Sequence, residues 1–186
     1  MGLGGEAPRE NGGLRLSDNE LKTILNGTAI PTAYKMGYVL NHYREPSFRS
    51  IEAVFGITRP EIVTLIFLQH REGITSGNIC EFSGHLKQNI SRAVLALARK
   101  GLIRRAADHA DKRRLLLYLT PAGRELHGRF MPALIAREQA MLACLTEQEH
   151  GAFTALLNRL SDHTPNWADL PMPLPQGSLK GSDQFE

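Results

Sequence analysis

Residues 85 to 114 constrain this chain of 186 residues most strongly, because positive charge and helical spacing coincide there. The segment HLKQNISRAVLALARKGLIRRAADHADKRR carries nine Lys and Arg residues but only two acids, Asp108 and Asp111. The rest of the chain has 13 basic and 17 acidic residues, so the overall charge of +3 conceals a cationic surface on an acidic body. Such a surface indicates a polyanionic partner, most simply double-stranded DNA.

The first half of this segment has the period of an amphipathic helix over residues 86 to 100. One stripe is apolar and consists of Leu86, Ile90, Ala93, Val94 and Leu97. The opposite face is mostly polar and consists of Gln88, Ser91, Arg92, Leu95 and Arg99. Gly101 ends the helix, and two aliphatic runs around the polar loop AADHADK predict a two-stranded hairpin over residues 102 to 120.

Capping boxes, in which a Ser or Thr is followed three residues later by Glu, predict where several other helices begin. They occur at Ser17, Thr58 and Thr146. Glycines and prolines mark where helical patterns stop. The helices expected outside the basic segment span residues 18 to 27, 31 to 44, 59 to 72, 76 to 82, 121 to 145 and 147 to 160. The last of them is expected to bury Phe153, Leu156, Leu157 and Leu160.

A short helix, a tight turn, a helix with a cationic face and a hairpin together predict a winged helix-turn-helix, which places one helix in the major groove. The expected fold class is therefore mainly α with a small β-hairpin wing. Residues 58 to 120 would form the DNA-binding domain. Residues 121 to 163 would form dimerisation helices, because a small winged domain cannot cover the apolar stripes on residues 121 to 145 and 150 to 160.

The two ends differ in composition from the middle of the chain. Residues 1 to 16 are rich in glycine and are expected to be a disordered tail. Residues 164 to 186 are rich in proline and are expected to be a second tail. The alternative for this second tail is an arm across a partner subunit, with Trp167 and Leu170 among its apolar contacts.

The sequence resembles the MarR family of transcriptional regulators over residues 28 to 162. The resemblance rests on EGITSGNICEFSGHLKQNISRAVLALARKGLIRR and on DHADKRRLLLYLTPAGREL. Its most specific part is an Asp followed by DKRR, an aliphatic strand and the pattern LT-x-x-G. The resemblance implies a homodimeric regulator, most simply a repressor, that binds a pseudo-palindromic operator. It also implies that residues 17 to 57 form dimerisation helices, which pair together with those of residues 121 to 163.

Side chains near the start of the basic helix are expected to contact base edges, as in other recognition helices. Each good contact of an amide with adenine, or of Arg or Lys with guanine, contributes about 1 to 3 kcal/mol of discrimination. The candidates are Lys87, Gln88, Asn89, Ser91 and Arg92. Phosphate contacts, which hold register without reading sequence, are expected from Arg99, Lys100, Arg104 and Arg105. The alternative is an ordinary solvated helix face.

The hairpin tip carries three cations, Lys112, Arg113 and Arg114, which suit a narrow minor groove of negative potential. The resemblance implies that one acid of this loop, Asp108 or Asp111, braces an arginine instead of facing DNA. We expect Arg113 to enter the groove, while the choice between Arg113 and Arg114 stays open at this point.

The start of the basic helix departs from the usual pattern of the family. Relatives have an aliphatic residue followed by Ser or Pro, whereas this chain has His85 and Leu86. Leucine offers no oxygen to the first free amides of a helix. The helix is therefore expected to lack a side-chain cap, and its first residue is the least certain boundary.

Many members of the family respond to small aromatic or phenolic molecules, and an aromatic group on the first long helix suggests a place for one. Tyr34, Tyr38 and His42 recur every fourth residue, with Tyr43 beside them. The alternative is packing against a partner subunit, because an aromatic stripe at helical spacing usually belongs to a core.

Enzymatic functions are disfavoured. The seven histidines form no HExxH motif, no phosphate-binding glycine loop occurs, and Cys80 and Cys144 lack metal-ligand spacing. No cofactor or metal is expected. A chain without an apolar run of 18 residues or a secretion signal is expected to be cytoplasmic and to bind no membrane. The alternative function is a winged-helix protein-interaction module with weak or no specific DNA binding.

Overall fold

The computed structural model describes residues 17 to 174, and the expected tail of residues 1 to 16 lies outside them. Within that range the helices are α1 (Asp18–Gly27), α2 (Pro31–Phe55), α3 (Arg59–His70), α4 (Ser76–Ser83), α5 (Lys87–Arg99), α6 (Pro121–Leu142) and α7 (Glu147–His163). The strands β1 (Ile103–Ala107) and β2 (Leu115–Leu119) separate α5 from α6. The predicted fold class, mainly helical with a hairpin wing, is confirmed. The chain divides between residues 139 and 140 into two compact units.

Helix α2 is much longer than predicted, because it continues through Pro46 to Phe55 instead of stopping at residue 44. A proline within a helix has no N–H for the carbonyl four residues earlier. That carbonyl belongs to His42, and it accepts a hydrogen bond of 3.1 Å from Nη2 of Arg137 on α6. A tertiary contact thus replaces the missing backbone bond, and α2 ends only at Gly56, whose φ is +63°.

The core of the first unit forms where α3, α4 and α5 meet the wing. Its side chains come from the inward faces of these elements, as their apolar spacing predicts. The completely buried members are Ile62, Leu65, Leu68, Ile79, Ile90 and Leu97. The capping boxes at Thr58 and Thr75 begin α3 and α4, and Gly84 ends α4 in the left-handed conformation with φ +66°.

The wing is an antiparallel pair in which Ile103 lies opposite Leu119 and Ala107 lies opposite Leu115. Ile74 adds a short third segment by bridging to Leu117. The amide of Leu117 donates to the Ile74 carbonyl at 2.9 Å. The predicted hairpin is confirmed, and this bridge attaches it to the turn before α4.

Thr120 directly precedes α6, and its hydroxyl accepts a hydrogen bond of 3.1 Å from the amide of Gly123 in the first turn. Gly123 is the glycine of the LT-x-x-G pattern, and it lies against the backbone of Leu102. A Cβ atom at position 123 would lie 2.1 Å from the Leu102 carbonyl oxygen. The absence of a side chain at Gly123 therefore allows α6 to pack directly on the strand that enters the wing.

The second unit contains α7, which begins with a capping box between Thr146 and Glu149. The predicted burial of its apolar face is wrong for the single chain, because none of its residues is buried there. Phe153, Leu156 and Leu160 are 42%, 55% and 51% exposed. A short 3-10 helix, Thr164–Asn166, follows α7. Among the described residues no helix is both long and apolar enough to cross a membrane.

Candidate nucleic-acid interface

Helix α5 has one buried face and one exposed face, as its sequence predicts. Ile90, Ala93, Val94 and Leu97 are buried against the rest of the first unit. The helix begins at Lys87, and Leu86 precedes it in an extended conformation without a side-chain cap. The expectation of an uncapped start is therefore confirmed. The polar face of α5 has no covering element from the described part of this unit.

The five base-contact candidates lie in the first turn and a half of α5. Lys87, Gln88 and Arg92 are exposed, while Asn89 and Ser91 are half-buried. Ionised side chains at this end stand free of the core, so their charge is available to a ligand. The structure brings the candidates together on one surface, and their contacts with bases remain predictions.

The four phosphate candidates do not share one environment. Arg99 and Arg105 are exposed, and the guanidinium of Arg104 lies 4.0 Å from the ring centre of Tyr118 on the neighbouring strand. Lys100 differs, because its Nζ donates to the Gly56 carbonyl and to Oε1 of Glu61, both at 2.8 Å. Lys100 therefore has two protein partners already, and its contact with a phosphate stays a prediction.

The wing loop is held by both of its acids, in different ways. Oδ2 of Asp108 lies 3.9 Å from Nη1 of Arg114, and the Asp108 amide donates to the Arg114 carbonyl at 2.9 Å. Asp111 accepts a bond of 3.0 Å from the amide of Arg113 and none from its side chain. Of the two open alternatives, the geometry pairs Asp108 with Arg114, so the exposed Arg113 and Lys112 stay available at the tip.

The four residues of the predicted effector site separate into two groups. Tyr43 turns inward, where its hydroxyl lies 3.5 Å from the Leu134 carbonyl and burial raises the pKa of the phenol. Tyr34, Tyr38 and His42 stay on the outer side of α2, with the Tyr38 and His42 rings 4.1 Å apart. Tyr43 therefore has different surroundings from the other three residues, and a shared effector site stays a prediction.

An open groove between α2 and α6, of about 370 Å³, was missed in the sequence. Its apolar floor includes Ile51, Phe130 and Leu134, and Arg129 and Arg137 lie along its edge. Arg129 lies over the Phe55 ring at 5.0 Å. No motif marks this groove, because its residues come from helices about 80 positions apart in the chain.

Comparisons with known proteins agree with this geometry. A family model described as MarR family matches residues 55–114, which contain the helix-turn-helix and most of the wing. A putative transcriptional regulatory protein for the hcr operon of Thauera aromatica is 26% identical over 77% of this chain and 87% of its own length. The HTH-type transcriptional repressor Rv2887 of Mycobacterium tuberculosis is 28% identical over 68% of this chain and 88% of its own.

Solved structures have the same fold. A MarR family transcriptional regulator from Silicibacter pomeroyi superposes with a TM-score of 0.68 at 28% identity, over 82% of this chain and 98% of its own. Rv2887, solved in complex with p-aminosalicylic acid, superposes with a TM-score of 0.58 at 26% identity, over 70% of this chain and 98% of its own. Both similarities extend beyond the helix-turn-helix to the flanking helices.

Proposed function

We propose that this chain is a transcriptional regulator of the MarR family, and that it is a homodimeric repressor that leaves its operator when a small aromatic molecule binds. The observation that carries the DNA-binding part is the two-sided character of α5. Its inner face is buried, while Lys87, Gln88 and Arg92 are exposed at the end that recognition helices insert. A cationic helix face that is held in place by a buried opposite face can enter the major groove.

We assign sequence reading to the start of α5, with Arg92 as its strongest single contributor, because a guanidinium can contact guanine through two hydrogen bonds. Arg99 and Arg105 hold phosphates on either side. Arg113 enters the minor groove beside α5, while Arg114 is held by Asp108. Narrow minor grooves attract arginine through their negative potential.

Exposed apolar side chains on both flanking regions support dimerisation. On α2, Tyr34, Met36 and Val39 are each about half exposed, and α7 exposes the set described above. Complete burial of one such side chain contributes about 1.5 to 3 kcal/mol. Covering the exposed part of several of them therefore favours association through both faces. A two-fold dimer buries them and places two α5 helices about one turn of DNA apart.

The effector is proposed to be a small aromatic acid that binds in the groove between α2 and α6. Rv2887, a relative, is solved with p-aminosalicylic acid. In this chain, Arg129 and Arg137 can hold a carboxylate above the apolar floor of the groove. Tyr34, Tyr38 and His42 are then interface residues, which was the alternative for the aromatic stripe.

Thermal unfolding tests the effector. A ligand present at 100 times its dissociation constant stabilises the folded state by about 2.7 kcal/mol. We expect p-aminosalicylate to raise the midpoint of wild type and to have a smaller effect on Arg129→Ala, with benzyl alcohol as an uncharged control. Equal increases of the unfolding midpoint in both proteins would mean that the acid binds outside the groove. An unchanged midpoint of wild type at millimolar acid would refute the proposed effector.

The DNA-binding part is tested by selecting bound duplexes from a random pool and then measuring affinity against salt. We expect a two-fold symmetric consensus and an affinity that falls steeply with salt, because bound phosphates release counterions. Arg92→Ala should relax the preference at one position in each half-site. Arg99→Ala should weaken selected and scrambled duplexes to similar degrees.

The alternative, a protein-interaction module, predicts a different result in the same experiment. Such a module would enrich no sequence from the pool and would bind every duplex weakly. That outcome, obtained with folded wild-type protein, would refute the regulatory function.

A further inference from the structure

A buried carboxylate, that of Glu61, connects three elements of the first unit. Only 3% of its side chain is exposed. Its Oε2 accepts from the amide of Thr58 at 2.7 Å and from the Thr58 hydroxyl at 3.0 Å. Its Oε1 accepts from Nζ of Lys100 at 2.8 Å. Both oxygens are therefore used, one within the first turn of α3 and one toward the end of α5.

Lys100 completes the connection. It is the residue at which α5 ends, and its Nζ also donates to the carbonyl of Gly56, the residue at which α2 ends. The ends of α2 and α5 and the start of α3 are thus joined through one ammonium and one carboxylate. A buried carboxylate depends on such a partner, because its desolvation is otherwise uncompensated.

The position of this pair matters for the opposite end of α5. The helix spans Lys87–Arg99, so its base-reading turn lies about 18 Å from Lys100 at a rise of about 1.5 Å per residue. A tilt of about 10° at the Lys100 end moves that turn by about 3 Å. Site contacts tolerate only about 0.5 Å of displacement. The restraint at Lys100 therefore acts together with the buried side chains Ile90, Val94 and Leu97 to set the position of the base-reading turn.

We propose that the Glu61–Lys100 pair is a positioning element, which sets the sequence specificity of the recognition helix relative to α2 without contacting DNA. This inference rests on the proposed DNA-binding function. It assigns a role to Glu61, which no sequence motif marks as part of a binding site, and it replaces the phosphate contact expected of Lys100.

The two possible roles of Lys100 differ in their effect on salt dependence. Loss of a phosphate contact from each subunit lowers the slope of log affinity against log salt by about 1.8 per dimer, on every duplex. Loss of a positioning contact lowers affinity for the selected site alone and leaves the slope unchanged. Arg99→Ala, at the adjacent exposed residue, serves as the phosphate control.

Glu61→Gln provides the decisive comparison. This variant makes the protein more cationic, so general electrostatics predicts tighter binding to all DNA. It retains an oxygen that can accept from Thr58, so it is the milder of the two substitutions. Positioning predicts that Glu61→Gln and Lys100→Met each reduce affinity for the selected site at least tenfold and leave affinity for scrambled DNA within about twofold.

Loss of stability alone must be distinguished from loss of position. Leu126→Ala shortens a side chain of α6 that packs against the core and lies outside the effector groove, so it lowers the unfolding midpoint by another route. Affinities are measured well below all midpoints. We expect Leu126→Ala to keep the wild-type ratio of selected to scrambled affinity, whereas Glu61→Gln loses it.

The outcomes separate this inference from the proposed function. Wild-type preference that persists in Glu61→Gln, or an equal loss of preference in Leu126→Ala, would overturn the positioning role alone. A reduced salt slope in Lys100→Met, matching that of Arg99→Ala, would restore the phosphate contact. Wild-type protein without any sequence preference would overturn the proposed function and this inference together.

Discussion

The contact between Gly123 and Leu102 allows the loss of stability in Gly123→Ala, which adds one methyl group, to be estimated. In Gly123→Ala the new Cβ would lie 2.1 Å from the Leu102 carbonyl oxygen and 3.2 Å from Cδ2 of Leu119. Leu119 can shift its side chain, but the oxygen belongs to the backbone. That oxygen also accepts from the amide of Thr120 at 3.1 Å, so moving it strains the start of α6.

The expected loss of stability follows from three contributions. Overpacking costs about 1 to 3 kcal/mol, and weakening the Thr120 hydrogen bond adds about 0.5 to 1.5 kcal/mol. The better helix propensity of alanine offsets at most about 1 kcal/mol. We expect a net destabilisation of about 2 to 3 kcal/mol, which lowers the unfolding midpoint by about 4 to 12 °C for a chain of this size.

The assay is urea and thermal unfolding at one fixed protein concentration. Gly128→Ala is the matched control, because it lies in the same helix and a Cβ there meets no atom within 4 Å. We expect that control to stabilise by about 0.5 to 1 kcal/mol. The packing argument is refuted if Gly123→Ala is as stable as wild type or follows Gly128→Ala upward.

Three further predictions concern other parts of the chain. Burial, followed by the charge of His70, lowers the pKa of His127 below its usual 6.5, so the unfolded chain binds its proton first. The free energy of unfolding should therefore fall as pH drops through 6.5 toward the lowered pKa. In His127→Phe the urea midpoint should depend less on pH over this range, and an unchanged pH dependence would contradict the assignment. Arg137→Ala should cost about 1 kcal/mol in wild type but less in a Pro46→Ala background, which restores the backbone donor; equal costs in a double-mutant cycle would contradict it. Trp167, the single tryptophan of the chain, is 55% exposed, so its emission should shift to the blue on dimerisation if residues 164 to 174 form an arm; a concentration-independent spectrum would favour a free tail.

The local features of the sequence predicted most of the fold. Capping boxes at Ser17, Thr58 and Thr146 begin helices where expected; Gly84 ends α4, and Gly101 directly follows the last residue of the α5 cap. These features act through hydrogen bonds between residues at most four positions apart, so the local sequence is sufficient to recognise them. The two faces of α5 follow from helical period for the same reason.

Long-range contacts account for the features that the sequence did not predict. Pro46 by itself predicts the end of a helix. The helix continues because Arg137, on another helix, supplies the donor that the proline lacks. Lys100 is one cation among nine in its segment, and only the position of Glu61 distinguishes it from the free ones. Each case involves a partner more than 35 positions away, for which no periodicity exists.

The chain therefore specifies its cationic helix, its wing and its family resemblance through local spacing and charge. The roles of individual cations depend on which distant carboxylates and carbonyls the packed core brings within hydrogen-bonding distance. Asp108 illustrates both levels, since the family resemblance implies a brace and only the folded hairpin selects Arg114 over Arg113. Charge can be counted along a sequence, but whether a charge is available to DNA depends on its neighbours in space.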